Sequence, residues 1–427
     1  MKLSQHTSSK FKKILLPVLT TLVVCFTGKK IHDCFQQQPT VKHYAEIPYS
    51  HGVLDSIDLL DNSVAFQHIM LAIDSAKVNV DIAMFEWHDD TIWNEFAKHI
   101  LEAADRGVHI QIFKDMLWSY YYGEGSTFLE SKFHTLLKQH PNIELRDGKD
   151  FGGPRWSQRL RNFNNHAKYI IIDGKTTHEV VFVGDMNIGD HYQHRRGYML
   201  MLSGDWFSDD LHNYKKESRN KVHQQERTEQ KKELSLKVVK NSLHWDRAKR
   251  ERFIGELNIQ QSIIDLMSQA KKRIRIQIAY LWDKDITKTL IQQVIDGKEV
   301  KLMIPMQADL QDDTNKKTIQ SILDATQWCD NLEVYLYNEG LHAKAFIFDD
   351  KVLIGSANMN SLSTLHHWEV CAVLETSWDP KMKHVLQDLE KQFLQDIQHA
   401  RLVTEQSQLS YNPVKAHIEK LYSDWID

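Results

Sequence analysis

The chain has 427 residues, of which 42% are hydrophobic and 26% charged, and its formal net charge is −4. This length favours two domains, or one large pseudo-symmetric body, over one ordinary compact domain. The acidic average argues against the chain-wide basic surface of a non-specific nuclease, although a local basic cleft stays compatible with it. There is no C-x-x-C pair among the four cysteines, so no structural zinc site is expected; they are Cys25, Cys34, Cys329 and Cys371. The last two could form a disulfide in an exported domain or remain reduced.

The N-terminus contains an apolar segment, ILLPVLTTLVVCF (Ile14–Phe26), with lysines on both sides. It is short for a spanning helix and has the length of a signal-peptide core, but no small-x-small cleavage site follows it. We interpret it as a hydrophobic signal-anchor helix; a cleaved signal peptide and a buried helix are the alternatives. The lysine bias then predicts a membrane-associated protein with an exported body.

Two stretches of the chain repeat the same order of predicted elements. Each begins with an apolar run that contains Ile-Ala, VNVDIAMFEW (Val78–Trp87) and IRIQIAYLWD (Ile274–Asp283). In each copy a predicted strand comes next (Gly107–Phe113 and Glu299–Pro305), then a helix (Ser126–Gln139 and Thr314–Trp328) and then a second strand (Ile143–Arg146 and Leu332–Tyr335). Alternating strands and helices predict an α/β fold with buried sheets.

A segment rich in Lys, Glu, Gln, Arg and Asn, Asp209–Arg252, separates the two copies, and we predict a solvated helical connector there. The predicted organisation is an N-terminal segment (1–40), a first domain (41–208), the connector (209–252), a second domain (253–400) and a C-terminal helical tail (401–427).

Each copy contains the pattern His-x-Lys-x4-Asp, in NHAKYIIIDG (165–174) and LHAKAFIFDD (341–350). An apolar run follows the first lysine, which predicts a buried strand whose alternation places His166 and Lys168 on one face; the same holds for His342 and Lys344. A Gly-x-x-Asn sequence follows each motif, as GDMN (Gly184–Asn187) and GSAN (Gly355–Asn358).

An imidazole beside an ammonium group suits a phosphate, because the lysine supplies positive charge and keeps its neighbour unprotonated and nucleophilic. Asn187 and Asn358 add amide donors, and Ser356 and the glycines allow a close approach of backbone N–H groups. Two such half-sites would place two histidines on opposite sides of one phosphorus. One attacks to form a phosphohistidine and the other transfers protons, so neither a metal nor another cofactor is required.

The duplicated H-x-K-x4-D followed by G-[SG]-x-N resembles the signature of the phospholipase D superfamily, over about residues 50–205 and 255–395. NNHAKYIIIDGK and GDMNIGDHY (Gly184–Tyr192) are most similar to the corresponding motifs of bacterial cardiolipin synthases. The resemblance implies two pseudo-symmetric α/β/α sandwich domains that share one active site.

Carried over by position, the resemblance makes His166 and His342 the catalytic pair, with His166 as the nucleophile. It implies that five further residues bind the phosphate: Lys168, Lys344, Asn187, Asn358 and Ser356. The motif aspartates, Asp173 and Asp349, fall at strand ends, and we interpret them as structural rather than as acid–base groups.

The family also places a carboxylate downstream of each catalytic histidine, where it orients the ring. Glu369 is expected to do this for His342, whereas the corresponding position of the first copy is Gly197. Asp185 stands where the family has Gly or Ser, and our hypothesis is that it orients His166. The alternatives are that Asp185 points away, or that the site is degraded.

Several weaker signals lie around the motifs. DMLWSYYYGEG (Asp115–Gly125) fits a lipid-contact loop or ordinary packing, and FGGPRW (Phe151–Trp156) a loop at the mouth of the site. Three arginines fit headgroup binding or solvated loop positions; they are Arg155, Arg159 and Arg161. We interpret His366 and His367 as bystanders.

The sequence therefore predicts a monomeric enzyme that acts on a phospholipid at a membrane surface. It would be a hydrolase of phospholipase D type or a transphosphatidylase of cardiolipin synthase type. One alternative is a nuclease of the same superfamily, which the acidic charge disfavours. The other is a degraded, membrane-tethered binding protein, which the intact histidines and lysines disfavour.

Overall fold

A computed structural model describes residues 40–42, 47, 49–114, 132–147, 164–205, 211, 232–245, 253–405 and 409–424. The predicted signal-anchor, the loops 115–125 and 151–156 and the three arginines of the first copy lie outside these residues. No helix among the described residues is long and apolar enough to cross a membrane. Cys329 and Cys371 are both free thiols.

The first copy of the repeat forms a sheet with the strand order β5-β4-β3-β6-β7-β8-β2-β9. These strands are β2 (His51–Asp61), β3 (Asn79–Met84), β4 (His109–Lys114), β5 (Ile143–Asp147), β6 (Tyr169–Ile172), β7 (Glu179–Gly184), β8 (Tyr198–Asp205) and β9 (Lys232–Glu233). The helices of this half are α1 (Asn62–Ser75), α2 (Thr91–Asp105), α3 (Lys132–Gln139) and α4 (Asp190–Gln193).

The second copy forms a sheet with the order β1-β11-β10-β17-β16-β15-β12-β13-β14-β18. Its strands are β1 (Thr40–Lys42), β10 (Leu236–Trp245), β11 (Phe253–Leu257), β12 (Arg273–Ile278), β13 (Glu299–Pro305), β14 (Leu332–Tyr337), β15 (Lys344–Phe348), β16 (Lys351–Gly355), β17 (Glu369–Glu375) and β18 (Ala400–Leu402). Its helices are α5 (Ile259–Gln269), α6 (Lys284–Ile295), α7 (Asp312–Ala325), a π-helix (Leu362–His366), α8 (Pro380–Ile397) and α9 (Pro413–Asp424).

Four of the helices begin at an aspartate whose carboxylate accepts a backbone N–H of the first turn. These N-caps are Asp61 of α1, Asp90 of α2, Asp283 of α6 and Asp379 of α8. A carboxylate here satisfies a donor that has no partner within the helix and interacts favourably with the helix dipole. Each helix therefore starts at a fixed point after the strand or loop before it.

The motif strands are apolar on both faces because each face packs into a different core. In β6, Ile170 and Ile172 pack with α1 and α2, whereas Tyr169 and Ile171 belong to a central core that contains residues of both sheets. The outer face of the second sheet packs with α5, α6 and α7 in the same way. Of the long helices described, α8 alone contributes to the central core. The prediction of two α/β domains is confirmed. The second sheet has helices on both faces, with α8 on the inner one, whereas the first sheet has helices of its own on the outer face only, so the predicted α/β/α layering is right for one copy and wrong for the other.

The connector prediction is also wrong in part, because residues 236–245 form β10 between β11 and β17. Leu236 packs in the central core and Val239 in the core on the outer face of the sheet, so buried residues lie on both faces of this strand. The few apolar residues of this strand were hidden by the charged composition of the longer segment around it. A strand paired on both sides within the second sheet belongs to that domain and not to a solvated linker.

Candidate active site

The two motifs meet where each copy of the repeat pairs with the other. The backbone N–H of His166 donates to the carbonyl oxygen of Trp368 at 2.9 Å, and that of His342 donates to Arg196 at 2.8 Å. Each motif therefore pairs with the segment that leads into a strand of the opposite sheet. His166 is 8% exposed and His342 9%. The two motifs therefore lie at one site at the domain interface and not at two separate sites.

Both motif lysines are fully buried, and each is fixed by its own motif. The Lys168 Nζ donates to the carbonyl oxygen of His166 at 2.8 Å, and the Lys344 Nζ to that of His342 at 2.7 Å. Burial lowers the pKa of Lys168 to about 8 and also lowers that of Lys344, although neighbouring carboxylates oppose the shift. Two neighbouring ammonium groups supply charged donors that suit an anion.

Both catalytic candidates are neutral imidazoles near neutral pH. The pKa values of His166 and His342 are held well below the ordinary value, first by burial and then by the positive charges of the two lysines. His166 also acts on His342 in the same direction, so the two rings are electrostatic neighbours. Neutral imidazole is the form that can attack phosphorus.

Glu369 orients His166, and the prediction that it serves His342 is wrong. Its Oε1 lies 2.8 Å from Nδ1 of His166. The cause is the pairing of the two domains: Asn165 and Trp368 form a bridge, which places the residue after Trp368 beside the first motif. With Nδ1 donating to a carboxylate, the Nε2 lone pair of His166 is left for chemistry.

Ser356 contacts Glu369. This contact was not expected, because Ser356 was predicted to bind phosphate. Its hydroxyl donates to Oε2 of Glu369 at 2.5 Å, and the hydroxyl oxygen accepts the backbone N–H of Val370 at 3.0 Å. Burial raises the pKa of Glu369, opposed by Lys168, His367 and hydrogen bonds from serine hydroxyls. The serine thus fixes the carboxylate that in turn fixes His166.

Asp185 faces His342, and the hypothesis that it orients His166 is wrong. Its Oδ1 is 3.8 Å from Nδ1 of His342, while its Oδ2 accepts the backbone N–H groups of Tyr198 at 2.9 Å and Lys344 at 3.3 Å. The side chain is fully buried, and burial raises its pKa despite the nearby lysines. The two orienting acids are therefore exchanged relative to the prediction.

The motif aspartates lie at the far ends of β6 and β15, in turns. Asp173 and Asp349 have φ angles of 49° and 54°, a left-handed conformation that aspartate tolerates better than most residues. Each carboxylate accepts three consecutive backbone N–H groups, from Lys77, Val78 and Asn79 or from Lys271, Lys272 and Arg273. These contacts agree with the interpretation that the aspartates are structural.

Asn187 and Asn358 are both buried at the site. The Oδ1 of Asn187 accepts the backbone N–H of Glu86 at 3.2 Å, which fixes its amide group. Among the described residues, Oδ1 of Asn358 has no hydrogen-bond partner. Their role in phosphate binding stays a prediction.

Four residues around the histidines were not predicted from the motifs. The Phe85 ring packs edge-on against His166 with centroids 4.6 Å apart, and the Tyr192 ring lies 5.3 Å from that of His342. Glu86 is a partly buried carboxylate, which accepts from the Tyr192 hydroxyl at 2.5 Å. His367, interpreted as a bystander, is buried with its ring 5.5 Å from His166. Phe85 and Glu86 follow the repeated Ile-Ala strand directly, and this position was the available signal.

One group of residues at the site has the atoms to hold a cation. Ligand atoms of His166, His367 and Glu369 lie within 4.8 Å of one another. A cation there would replace the hydrogen bond between His166 and Glu369. Such binding would compete with the orientation of His166 described above.

The sequence matches the family model described as "Cardiolipin synthase, PLD-like domain" over residues 69–216 and 263–397. The chain belongs to this family. "Cardiolipin synthase 1" of Bacillus anthracis is 25% identical over 369 residues, which cover 80% of this chain and 66% of that protein. "Cardiolipin synthase" of Halalkalibacterium halodurans is 26% identical over 365 residues, covering 81% and 66%. The chain thus spans about two thirds of the length of these cardiolipin synthases.

Solved structures show the same fold for this member of the PLD-like family. The phosphatidylserine synthase of Haemophilus influenzae Rd KW20 superposes with a TM-score of 0.65 at 15% identity, over 88% of this chain and 95% of that one. The polyphosphate kinase of Porphyromonas gingivalis has a TM-score of 0.51 at 12% identity, over 87% and 53%. Because these two proteins carry different activities, the likeness concerns the duplicated fold alone.

Proposed function

We propose that the chain is a membrane-associated transphosphatidylase that acts on phospholipids, with a phosphatidylglycerol-type lipid as donor and a lipid alcohol as acceptor. The observation that carries this proposal is the pair of neutral, buried histidines beside two buried lysines at the domain interface. The family and its cardiolipin synthase members support the lipid substrate.

In the first step, Nε2 of His166 attacks phosphorus and the bond to the leaving alcohol breaks. Glu369 stabilises the positive charge that develops on the His166 ring, because its carboxylate accepts the proton on Nδ1 at 2.8 Å. His342 gives a proton to the leaving oxygen; the negative charge of the bound phosphodiester raises its pKa and favours this protonated form.

In the second step, the hydroxyl of the acceptor attacks the phosphohistidine and the P–N bond breaks. His342 takes the proton of that hydroxyl, and the lysines balance the charge of the phosphate throughout. When water replaces the alcohol, the same steps give hydrolysis and phosphatidic acid. The same motif residues act in transfer and in hydrolysis, so the two reactions are distinguished by analysing their products.

The test is to incubate the purified chain with phosphatidylglycerol, phosphatidylcholine and single-stranded DNA, each with and without EDTA, beside His166→Ala and His342→Ala variants. We expect cardiolipin from phosphatidylglycerol, resistance to EDTA and loss of turnover in both variants. Phosphatidic acid as the main product would reassign the enzyme to hydrolysis, and DNA cleavage to the nuclease class. Loss of turnover on chelation would contradict the metal-free steps.

A further inference from the structure

The segments that carry the two orienting positions are equivalent by the symmetry of the repeat. Trp368 bridges to Asn165 and precedes Glu369, while Arg196 bridges to Leu341 and precedes Gly197. Position 197 therefore stands to His342 as position 369 stands to His166. A carboxylate orients His166 from position 369, but position 197 has no side chain at all.

The space in front of Gly197 is filled by Asp185. A Cβ atom at position 197 would lie 2.2 Å from Oδ1 of Asp185 and 2.5 Å from Nδ2 of Asn62. Real Cβ atoms do not make contacts this short, so a side chain at 197 and the present carboxylate of Asp185 exclude each other. Glycine at 197 is what permits the aspartate at 185.

Asp185 occupies the position that Ser356 holds in the second copy. The backbone N–H of Asp185 donates to the Tyr198 carbonyl at 3.1 Å, as that of Ser356 does to Val370 at 2.9 Å. The side-chain oxygens match too: Oδ2 of Asp185 accepts from the Tyr198 N–H at 2.9 Å and the Ser356 hydroxyl from the Val370 N–H at 3.0 Å. Both side chains therefore fix the start of the next strand.

Ser356 and Asp185 differ in how each is connected to the nearby histidine. The Ser356 hydroxyl bonds to the carboxylate of Glu369, which reaches His166. Asp185 has a second oxygen of its own, Oδ1, 3.8 Å from Nδ1 of His342. Neither of these two atoms has a hydrogen-bond partner among the described residues, and both are buried. The pair is too long for a hydrogen bond here, and catalytic hydrogen bonds of this kind commonly shorten when substrate binds.

We propose that Asp185 is the positioning acid of His342 and combines in one residue the functions that Ser356 and Glu369 divide between them. It holds the start of β8 with one oxygen and stabilises the protonated ring of His342 with the other. This inference rests on the proposed function, in which His342 is the group that gains and loses the proton.

The experiment compares the wild type with Asp185→Ser, Gly197→Glu and the double variant Asp185→Ser/Gly197→Glu, which would rebuild the serine–glutamate pair of the second copy. The pKa of the His342 ring is measured in each by hydrogen–deuterium exchange at ring C2, read by mass spectrometry. Turnover of phosphatidylglycerol and the melting temperature are measured in parallel.

We expect Asp185→Ser to lower the pKa of His342 and to reduce kcat about 10²-fold or more, with a smaller effect on KM. The double variant should recover at least part of both, while Gly197→Glu alone should melt at lower temperature because its side chain meets Asp185. An unchanged His342 pKa in Asp185→Ser would overturn the inference, as would a folded double variant no better than Asp185→Ser. If the wild type turns over no phospholipid, the proposed function fails, and the His342 pKa still decides the role of Asp185.

Discussion

Glu369 and His166 belong to different copies of the repeat, yet Oε1 of the glutamate lies 2.8 Å from Nδ1 of the histidine. Asp185 of the first copy correspondingly faces His342 of the second. The acids are thus exchanged across the domain interface. Because each histidine depends on an acid from the other domain, neither domain alone contains a complete half-site.

Glu369→Gln is expected to reduce kcat by about 10²–10⁴-fold, because an amide cannot stabilise the positive charge that develops on His166. Glutamine keeps the size of the side chain and can still accept a hydrogen bond, so the melting temperature should change little. Steady-state turnover of phosphatidylglycerol measures the effect. The matched control is Glu375→Gln, at the other end of β17, whose carboxylate lies 3.6 Å from Lys351. Equal activities in the two variants would remove Glu369 from the mechanism.

The alkaline limit of activity should lie far below the ordinary lysine pKa. Burial lowers the pKa of Lys168 from 10.5 to about 8, so the free enzyme loses a phosphate-binding charge as the pH rises through this value. The expected result is a fall in kcat/KM above about pH 8, measured with a substrate whose own charge is constant there.

Unfolding would not explain that fall. Between pH 8 and 10.5 the unfolded chain binds a proton at Lys168 that the folded protein does not, so the contribution of this lysine to stability rises with pH. Melting temperatures across the same range provide the control. An alkaline limb near pH 10 would show instead that Lys168 is an ordinary lysine.

Part of the site could be predicted from the sequence, because the repeated spacing of histidine and lysine follows directly from strand periodicity. His166, Lys168, His342 and Lys344 are brought together at one interface as expected. The partners of the histidines could not be assigned, because strand patterns describe one sheet and not how two sheets pair. Sequence distance suggested that each acid serves its own copy, and the pairing of Asn165 with Trp368 reverses this.

The fold shows the same limit. The bounds of β13 match the predicted Glu299–Pro305, since a dense apolar run identifies a buried strand. β10 was missed because its apolar residues are few and lie within a charged segment. The shared core between the two sheets was not predicted, because a sheet that is apolar on both faces does not reveal whether helices or another sheet cover it.

Asp349→Asn should lower stability by about 1–3 kcal/mol without altering the specific activity of the folded enzyme. Asparagine also tolerates the positive φ of this turn but loses the charge that accepts the N–H groups of Lys271, Lys272 and Arg273. Denaturant unfolding at pH 7 gives the difference, and the exposed neighbour provides the control in Asp350→Asn. A large loss of kcat at unchanged stability would make Asp349 an active-site group.

The pH dependence of this difference can be predicted as well. Burial would raise the pKa of Asp349, but the hydrogen bonds from the three N–H groups outweigh it and hold the pKa below 3.8. The carboxylate therefore stabilises the fold above that value, and its contribution is lost as the pH falls through the lowered folded pKa. Wild type and Asp349→Asn should converge in stability in strong acid. If the difference in stability stays constant in strong acid, its cause is packing and not the charge of Asp349.

The covalent step on His166 is tested most directly with a phosphatidyl ester of p-nitrophenol, whose leaving group needs no protonation. In His342→Ala the first step then proceeds while the second lacks its base, so we predict a burst of nitrophenolate equal to the enzyme concentration. Mass spectrometry at alkaline pH should find the phosphatidyl group on the peptide that contains His166, and His166→Ala should show neither burst nor adduct. A His342→Ala enzyme that gives no burst, or phosphorus bound to any other residue, would contradict the account.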